Sequence, residues 1–126
     1  MGHAKLVFIV DDDQSVRASL RSLVRSLGCD AETFGSSEAL LSLGEHLILL
    51  ADCVICDVDL PGMSGIELQN VLHKRGYLLN IIFLTAYGAD DVCEVALSGG
   101  ALCVLEKPVD PDVLCQWIVS AFELPG

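Results

Sequence analysis

Three short apolar runs in this chain end abruptly in charge: Val7 to Asp13 reads VFIVDDD, Cys53 to Asp59 reads CVICDVD, and Leu102 to Pro108 reads LCVLEKP. Each apolar part has strand length and none alternates polar with apolar, the pattern of strands buried on both faces of a parallel sheet. Counted with two similar runs, the strand candidates are Leu6 to Val10, Cys29 to Phe34, Cys53 to Asp57, Ile81 to Thr85 and Ala101 to Leu105. Helix-like segments fall between and after them. The clearest covers Gln14 to about Leu27, where Val16, Leu20, Leu23, Val24 and Leu27 recur at helical spacing and Gly28 follows as a stop. Ser36 and Ser37 can cap a second helix with Glu38 to Leu41 as its body, and Ser64 a third carrying Ile66, Leu68, Val71 and Leu72. Asp90 and Asp91 suit the start of a fourth, and Pro111 opens a fifth that reaches about Phe122. This alternation predicts an α/β fold, a doubly wound parallel sheet of strand order 2-1-3-4-5 with right-handed crossovers, in a single domain. Residues 1–4 read as an N-terminal extension, 5–123 as the domain, and 124–126 as a tail or the start of a linker.

Spacing then says where the charge goes. Asp12 to Asp57 is 45 residues, two repeats; Asp57 to Thr85 is 28 and Thr85 to Lys107 is 22, one repeat each. All four therefore lie at or just past the carboxyl end of a strand, where open α/β sheets bind ligands beside the point of reversed strand order. In this order the reversal lies between the first and third strands, and it puts Asp11 and Asp12 beside Asp57.

Bulk composition narrows the functions. The 126 residues are 52% apolar, enough for one aliphatic core, and the uncharged apolar stretches are far shorter than the ~20 residues of a membrane span. With no secretory pattern at the N-terminus, the reading is cytoplasmic with no membrane contact. A net charge of -11 argues against nucleic-acid binding by this segment, since a phosphate backbone needs a basic surface. The six cysteines, Cys29, Cys53, Cys56, Cys93, Cys103 and Cys115, read as small buried hydrophobes. Cys53 and Cys56 form a C-x-x-C, but three residues apart on a strand they point to opposite faces and share neither a metal nor a bridge. His46 and His73 read as surface residues.

Three crowded carboxylates repel one another unless they take up protons or share a cation. With oxygen donors only, that cation is Mg²⁺ or Mn²⁺. Asp57, flanked by apolar strand residues, is the most firmly oriented and can attack phosphorus to form an aspartyl phosphate. Lys107 supplies positive charge, Thr85 a hydroxyl for a phosphoryl oxygen, and phosphoryl transfer depends chiefly on such positioning and neutralisation.

Asp11-Asp12, Asp57 followed by Leu60-Pro61-Gly62-Met63-Ser64-Gly65, Thr85-Ala86 and Lys107-Pro108 together resemble the receiver domain of two-component response regulators, over essentially the whole chain. The wording is most similar to the subgroup with a LuxR-type helix-turn-helix output domain. The resemblance implies a flavodoxin-like (βα)5 fold and a phosphoacceptor, Asp57, charged by a sensor histidine kinase in a Mg²⁺-dependent reaction. It implies Mg²⁺ ligation by Asp12, Asp57 and the Asp59 backbone carbonyl, with Asp11 assisting through water, and roles for Thr85 and Lys107 in phosphoryl transfer. It also implies a cis Lys107-Pro108 bond, a conformational output to a transcriptional partner domain, and no enzyme activity beyond slow self-phosphorylation and autodephosphorylation. The nearly all-apolar last helix, Val113 to Phe122, suggests a contact surface, either for a second copy in a homodimer through the fourth and fifth helices and the fifth strand or for an attached output domain.

The chain departs from the family pattern at Val104, where an aromatic residue is usual three positions before the lysine. Without an aromatic rotamer switch, output falls to Thr85, its loop and the fourth helix. Asp13 stands where Glu is common in the subgroup, and Asp59 and Tyr87 occupy the positions expected to tune aspartyl-phosphate lifetime. A rival reading is a haloacid-dehalogenase-type phosphatase, because Asp57-Val58-Asp59 matches that family's D-x-D, whose second Asp acts as general acid and base. Against it stand the lack of room for a cap and an acidic pair that precedes the D-x-D. Flavin binding on the same fold would need a Gly/Ser/Thr-rich phosphate loop where Asp11-Asp12-Asp13 stand.

Overall fold

The computed structural model describes residues 4–86 and 90–123. Strands β1 (Leu6–Val10), β2 (Asp30–Phe34), β3 (Cys53–Asp57), β4 (Ile81–Thr85) and β5 (Cys103–Glu106) form one parallel sheet in the order β2-β1-β3-β4-β5, as the repeat pattern predicts. Two strand starts differ from expectation, each because a helix ends later. The Gly28 N–H still donates to the Arg25 carbonyl, so the chain has not straightened at Cys29; the Ala101 N–H likewise donates to Ala96.

The described helices are α1 (Gln14–Ser26), α2 (Ser37–Leu41), α3 (Glu45–Ile48), α4 (Gly65–Lys74), α5 (Asp90–Ser98) and α6 (Pro111–Phe122). The second helix lies where expected, and α3 is a sixth that the sequence pattern did not predict, which corrects the count of five. The Ser42 and Leu43 N–H groups close α2 onto Glu38 and Leu40, and Gly44, in extended conformation, restarts the chain as the cap of α3. At α2 and α4 the caps form where the sequence predicts them. The Ser36 hydroxyl accepts from the Ala39 N–H, and Ser64 with Glu67 completes a reciprocal capping box at α4.

Side chains alternate across the sheet into two cores. Val7, Ile9, Cys53, Ile55, Ile82 and Leu84 face α1 and α6, where Leu20, Val24, Leu114 and Ile118 cover them. Phe8, Val10, Val54, Cys56, Ile81 and Phe83 face the other way, beneath Leu40, Ile48, Leu68, Leu72 and Ala96 of α2 to α5. Each large side chain so buried contributes roughly 1.5–3 kcal/mol. Cys53 and Cys56 fall in opposite cores, and all six cysteines are free. Burial pushes the Cys53 and Cys103 thiols up to about 12. In α6, Leu114, Ile118 and Ala121 are buried and Trp117 and Phe122 pack against the core, which leaves Val113 and Val119 exposed.

Candidate functional site

The carboxyl ends of β1, β3, β4 and β5 bring Asp11, Asp12, Asp57, Thr85 and Lys107 to one edge of the sheet. Asp57 is the last residue of β3 and lies beside Leu84 of β4 in register, directly after Cys56, where the pairing with β1 ends. Its carboxylate is buried and bonded at both oxygens. Lys107 Nζ donates to Oδ2 at 2.8 Å, and the Asp59 N–H to Oδ1 at 2.9 Å. Behind it, α4 starts so close that a Cβ on Gly65 would lie 2.6 Å from the Asp57 carbonyl oxygen. Glycine is the residue that lets this helix abut the strand end.

Asp11 is as buried as a core residue, at 1% exposure, while its neighbour Asp12 is exposed. Lys107 Nζ lies 3.4 Å from Asp11 Oδ2, the Asp13 N–H donates to Asp11 Oδ1, and Arg17 Nη1 donates to the Asp11 carbonyl at 2.7 Å. Burial pushes the Asp11 carboxyl above the usual carboxylate range; the Asp13 N–H and Lys107 pull it down, and Asp57 adds to the rise. Burial alone would lower the Lys107 ammonium, but the Asp57 and Asp11 carboxylates outweigh it and hold it above its ordinary value. The Lys107 N–H bonds the Thr85 carbonyl, and Lys107-Pro108 is cis, as the resemblance implies. Thr85 is 1% exposed, and among the described residues its hydroxyl has no partner. A buried hydroxyl without a partner is costly unless something else engages it.

One oxygen each from Asp11, Asp12 and Asp57 lie within 4.8 Å of one another, a donor set of hard oxygens fit for a divalent cation. Lys107 neutralises one of the three charges, and the remaining excess attracts a small cation. Asp59 reaches the site through its backbone, with an exposed side chain. Asp13 serves the helix and not the cluster, since its carboxylate caps α1 by accepting from the Ser15 and Val16 N–H groups. His46 and His73 are exposed, as read from sequence, and Val104 is half-buried against the α2–α5 core. Tyr87 lies outside the described residues.

Two neighbours of the site escaped the sequence reading. The sequence pattern gives Arg17 no role, and it places Glu38 in the body of a helix, where it does lie. From α2 the Glu38 side chain reaches the loop after β3, where its Oε2 accepts from the Met63 N–H at 3.1 Å.

The chain matches the family described as a response regulator receiver domain over residues 7–119. It is 41% identical to the transcriptional regulatory protein TdiR of Thauera aromatica over 98% of this chain and 53% of that one, and 36% identical to nodulation protein W of Bradyrhizobium diazoefficiens over 94% and 51%. It spans about half the length of these relatives. Among solved structures, that of FixJ-N superposes with a TM-score of 0.89 at 28% identity over 99% of this chain and 98% of that one. The response regulator StyR gives 0.85 at 35% identity over 96% and 60%. The phosphatase reading finds no support in these matches. A buried, lysine-held aspartate at the end of the third strand and the match across nearly its full length agree: the chain belongs to the response regulator receiver domain family.

Proposed function

We propose that Asp57 accepts a phosphoryl group from a sensor histidine kinase, and that the modified domain switches conformation to control a transcriptional output. The observation that carries the reading is the pairing of a buried Asp57, held by Lys107, with a buried Thr85 hydroxyl that lacks a partner. An Asp57 oxygen forms the new bond to phosphorus while the bond to the donor's leaving group breaks and its electron pair departs with that group. Lys107 offsets the added negative charge, and the Thr85 hydroxyl donates to a phosphoryl oxygen.

Asp12, Asp57 and the Asp59 backbone carbonyl would hold Mg²⁺, or Mn²⁺, with Asp11 acting through water; the mutual proximity of the three carboxylates supports this. Bound there, the ion supplies charge neutralisation for the transferring group. Modification biases two arrangements of the domain, and the domain turns over no further substrate beyond slow self-phosphorylation and autodephosphorylation. The domain spans residues 5–123 and works in the cytoplasm; among the described residues no helix is long and apolar enough to cross a membrane. Two copies meet through α5, β5 and α6, on which Val95, Leu97 and Val119 are exposed. Solution mass with and without beryllofluoride tests that pairing, and a monomer in both removes it.

The decisive test is phosphorylation of wild type and Asp57→Asn with a small phosphoryl donor, with and without Mg²⁺. Wild type takes up about one equivalent only when Mg²⁺ is present, and Asp57→Asn takes up none. Labelling retained in Asp57→Asn refutes the phosphoacceptor, and sustained turnover of a phosphate ester refutes the receiver chemistry.

A further inference from the structure

The loop from Asp59 to Ser64 joins the phosphoacceptor strand to α4, and two residues at the start of α2 hold its far side. The Glu38 carboxylate accepts from the Met63 N–H at 3.1 Å, and the buried Ser37 hydroxyl lies 3.5 Å from the Ser64 carbonyl. The turn is shaped around that carboxylate. Gly62 takes φ +73, a conformation that costs other residues, and a Cβ there would lie 2.7 Å from Glu38 Oε2. The near side of the same loop is fixed by Asp57 itself, which accepts from the Asp59 N–H, and by the Leu60 N–H on the Val58 carbonyl. Asp59 and its carbonyl therefore sit on a short span tied at both ends, one end at the phosphoacceptor and the other at Glu38.

We propose that Glu38 is a positioning residue for the cation site, setting the Asp59 carbonyl by holding the Gly62–Met63 turn. It acts through the loop and touches neither the cation nor the phosphoryl group. The inference rests on the proposed Mg²⁺ ligation by Asp59, and it adds a residue 19 positions before Asp57, on another element, to the determinants of that site. A carboxylate suits this role because a charged acceptor bonds an N–H about twice as strongly as a neutral one, yet a carboxamide oxygen can still accept the same N–H.

Mg²⁺ affinity measured by calorimetry on wild type, Glu38→Ala and Glu38→Gln is the test, with thermal melts of each without Mg²⁺. The expected result is a roughly 3- to 10-fold loss in Glu38→Ala and a loss of less than about 2-fold in Glu38→Gln, scaled from a single hydrogen bond. Equal affinity in wild type and Glu38→Ala overturns the proposal. Equal losses in Ala and Gln also overturn it, since they assign the effect to net charge near the site and not to position. Wild type that binds no Mg²⁺ at all marks failure of the underlying ligation. A second check uses Gly62→Ala: placed in the Glu38→Ala background it is expected to weaken Mg²⁺ by less than in wild type, because the clash with Oε2 is gone. Equal effects in both backgrounds count against the clamp.

Discussion

Replacing Asp12 with asparagine is expected to make the metal-free protein more stable while abolishing its response to Mg²⁺. Asp11, Asp12 and Asp57 place oxygens within 4.8 Å of one another, but of these carboxylates Lys107 pairs with Asp11 and Asp57 and not with Asp12. At that separation a like-charge pair costs about 0.9 kcal/mol in a water-like medium and about 3.5 kcal/mol at an effective dielectric of ~20. Asp12 is exposed, so the lower figure applies to each of its two pairs, and the amide removes both without changing shape. Stabilisation of about 1–2 kcal/mol follows, or a rise in Tm of roughly 3–8 °C for a domain of this size. Physiological salt screens over ~8 Å and leaves much of a 4.8 Å interaction in place. Mg²⁺ at a hundred times its Kd should then stabilise wild type by about 2.7 kcal/mol and the variant by far less, so that the order of stability reverses. Thermal melts at neutral pH, with Mg²⁺ and with chelator, decide it. An Asp12→Asn protein no more stable than wild type in chelator, or one that gains as much as wild type from Mg²⁺, would refute the electrostatic account of the site.

Gly65→Ala is expected to destabilise the fold by about 1–3 kcal/mol in urea melts, because its Cβ meets the Asp57 carbonyl at 2.6 Å, Val58 Cα at 3.0 Å and the Phe83 ring at 3.1 Å. It should also slow phosphoryl uptake by displacing Asp57, while stability and uptake both unchanged would show that α4 does not fix the strand end. Asp13 is a test of pH dependence: the Ser15 hydroxyl, together with the Val16 and Ser15 N–H groups, holds its carboxyl below the usual range. A lowered value means the cap stabilises the fold above the ordinary Asp value of ~3.9 and loses that contribution as pH falls through the folded one. Stability profiles of wild type and Asp13→Ala should therefore converge on acidification, and parallel profiles throughout would deny the charged cap.

The strands legible at residue precision are β1, β3 and β4, the three with partners on both sides. Burial on both faces demands unbroken apolar runs, and such runs have sharp ends. The edges were blurred at β2 and β5, where local bonding to the preceding helix decides the first residue. α3 was not legible because a single turn of four residues, Glu45–Ile48, is too short to show helical periodicity, and its cap Gly44 offers no side-chain signal. Convergence of Asp11, Asp12, Asp57 and Lys107 followed from repeat spacing alone, since strand ends in a parallel sheet share an edge. Glu38 could not be found that way, because its partner is 25 residues distant and lies in a loop with no periodicity to place it. The cap formed by Asp13 was legible in principle, as an Asp just before a helix, but the acidic run drew attention to the cation site instead.

Under the proposed function, Val104 leaves the link from chemistry to signal resting on Thr85 and α5, and the energies involved can be compared. Of its own side chains α5 fully buries Ala96 alone, which offers little apolar surface, and Gln69 of α4 adds one buried hydrogen bond to the Ala96 carbonyl at 3.0 Å. That bond is worth about 1 kcal/mol net. Under the proposed function, a phosphoryl group that engages the Thr85 hydroxyl gains a charge-assisted bond of about 1.5–3 kcal/mol and relieves a buried group that lacked a partner. The gain is comparable to that one bond, although Val92 of α5 also packs half-buried against the core, five to seven residues beyond Thr85 along the chain. A population shift of about tenfold costs ~1.4 kcal/mol, so on the proposed function a single bond at Thr85 is large enough to bias two arrangements of α5 by that factor, without a bulky side chain at position 104.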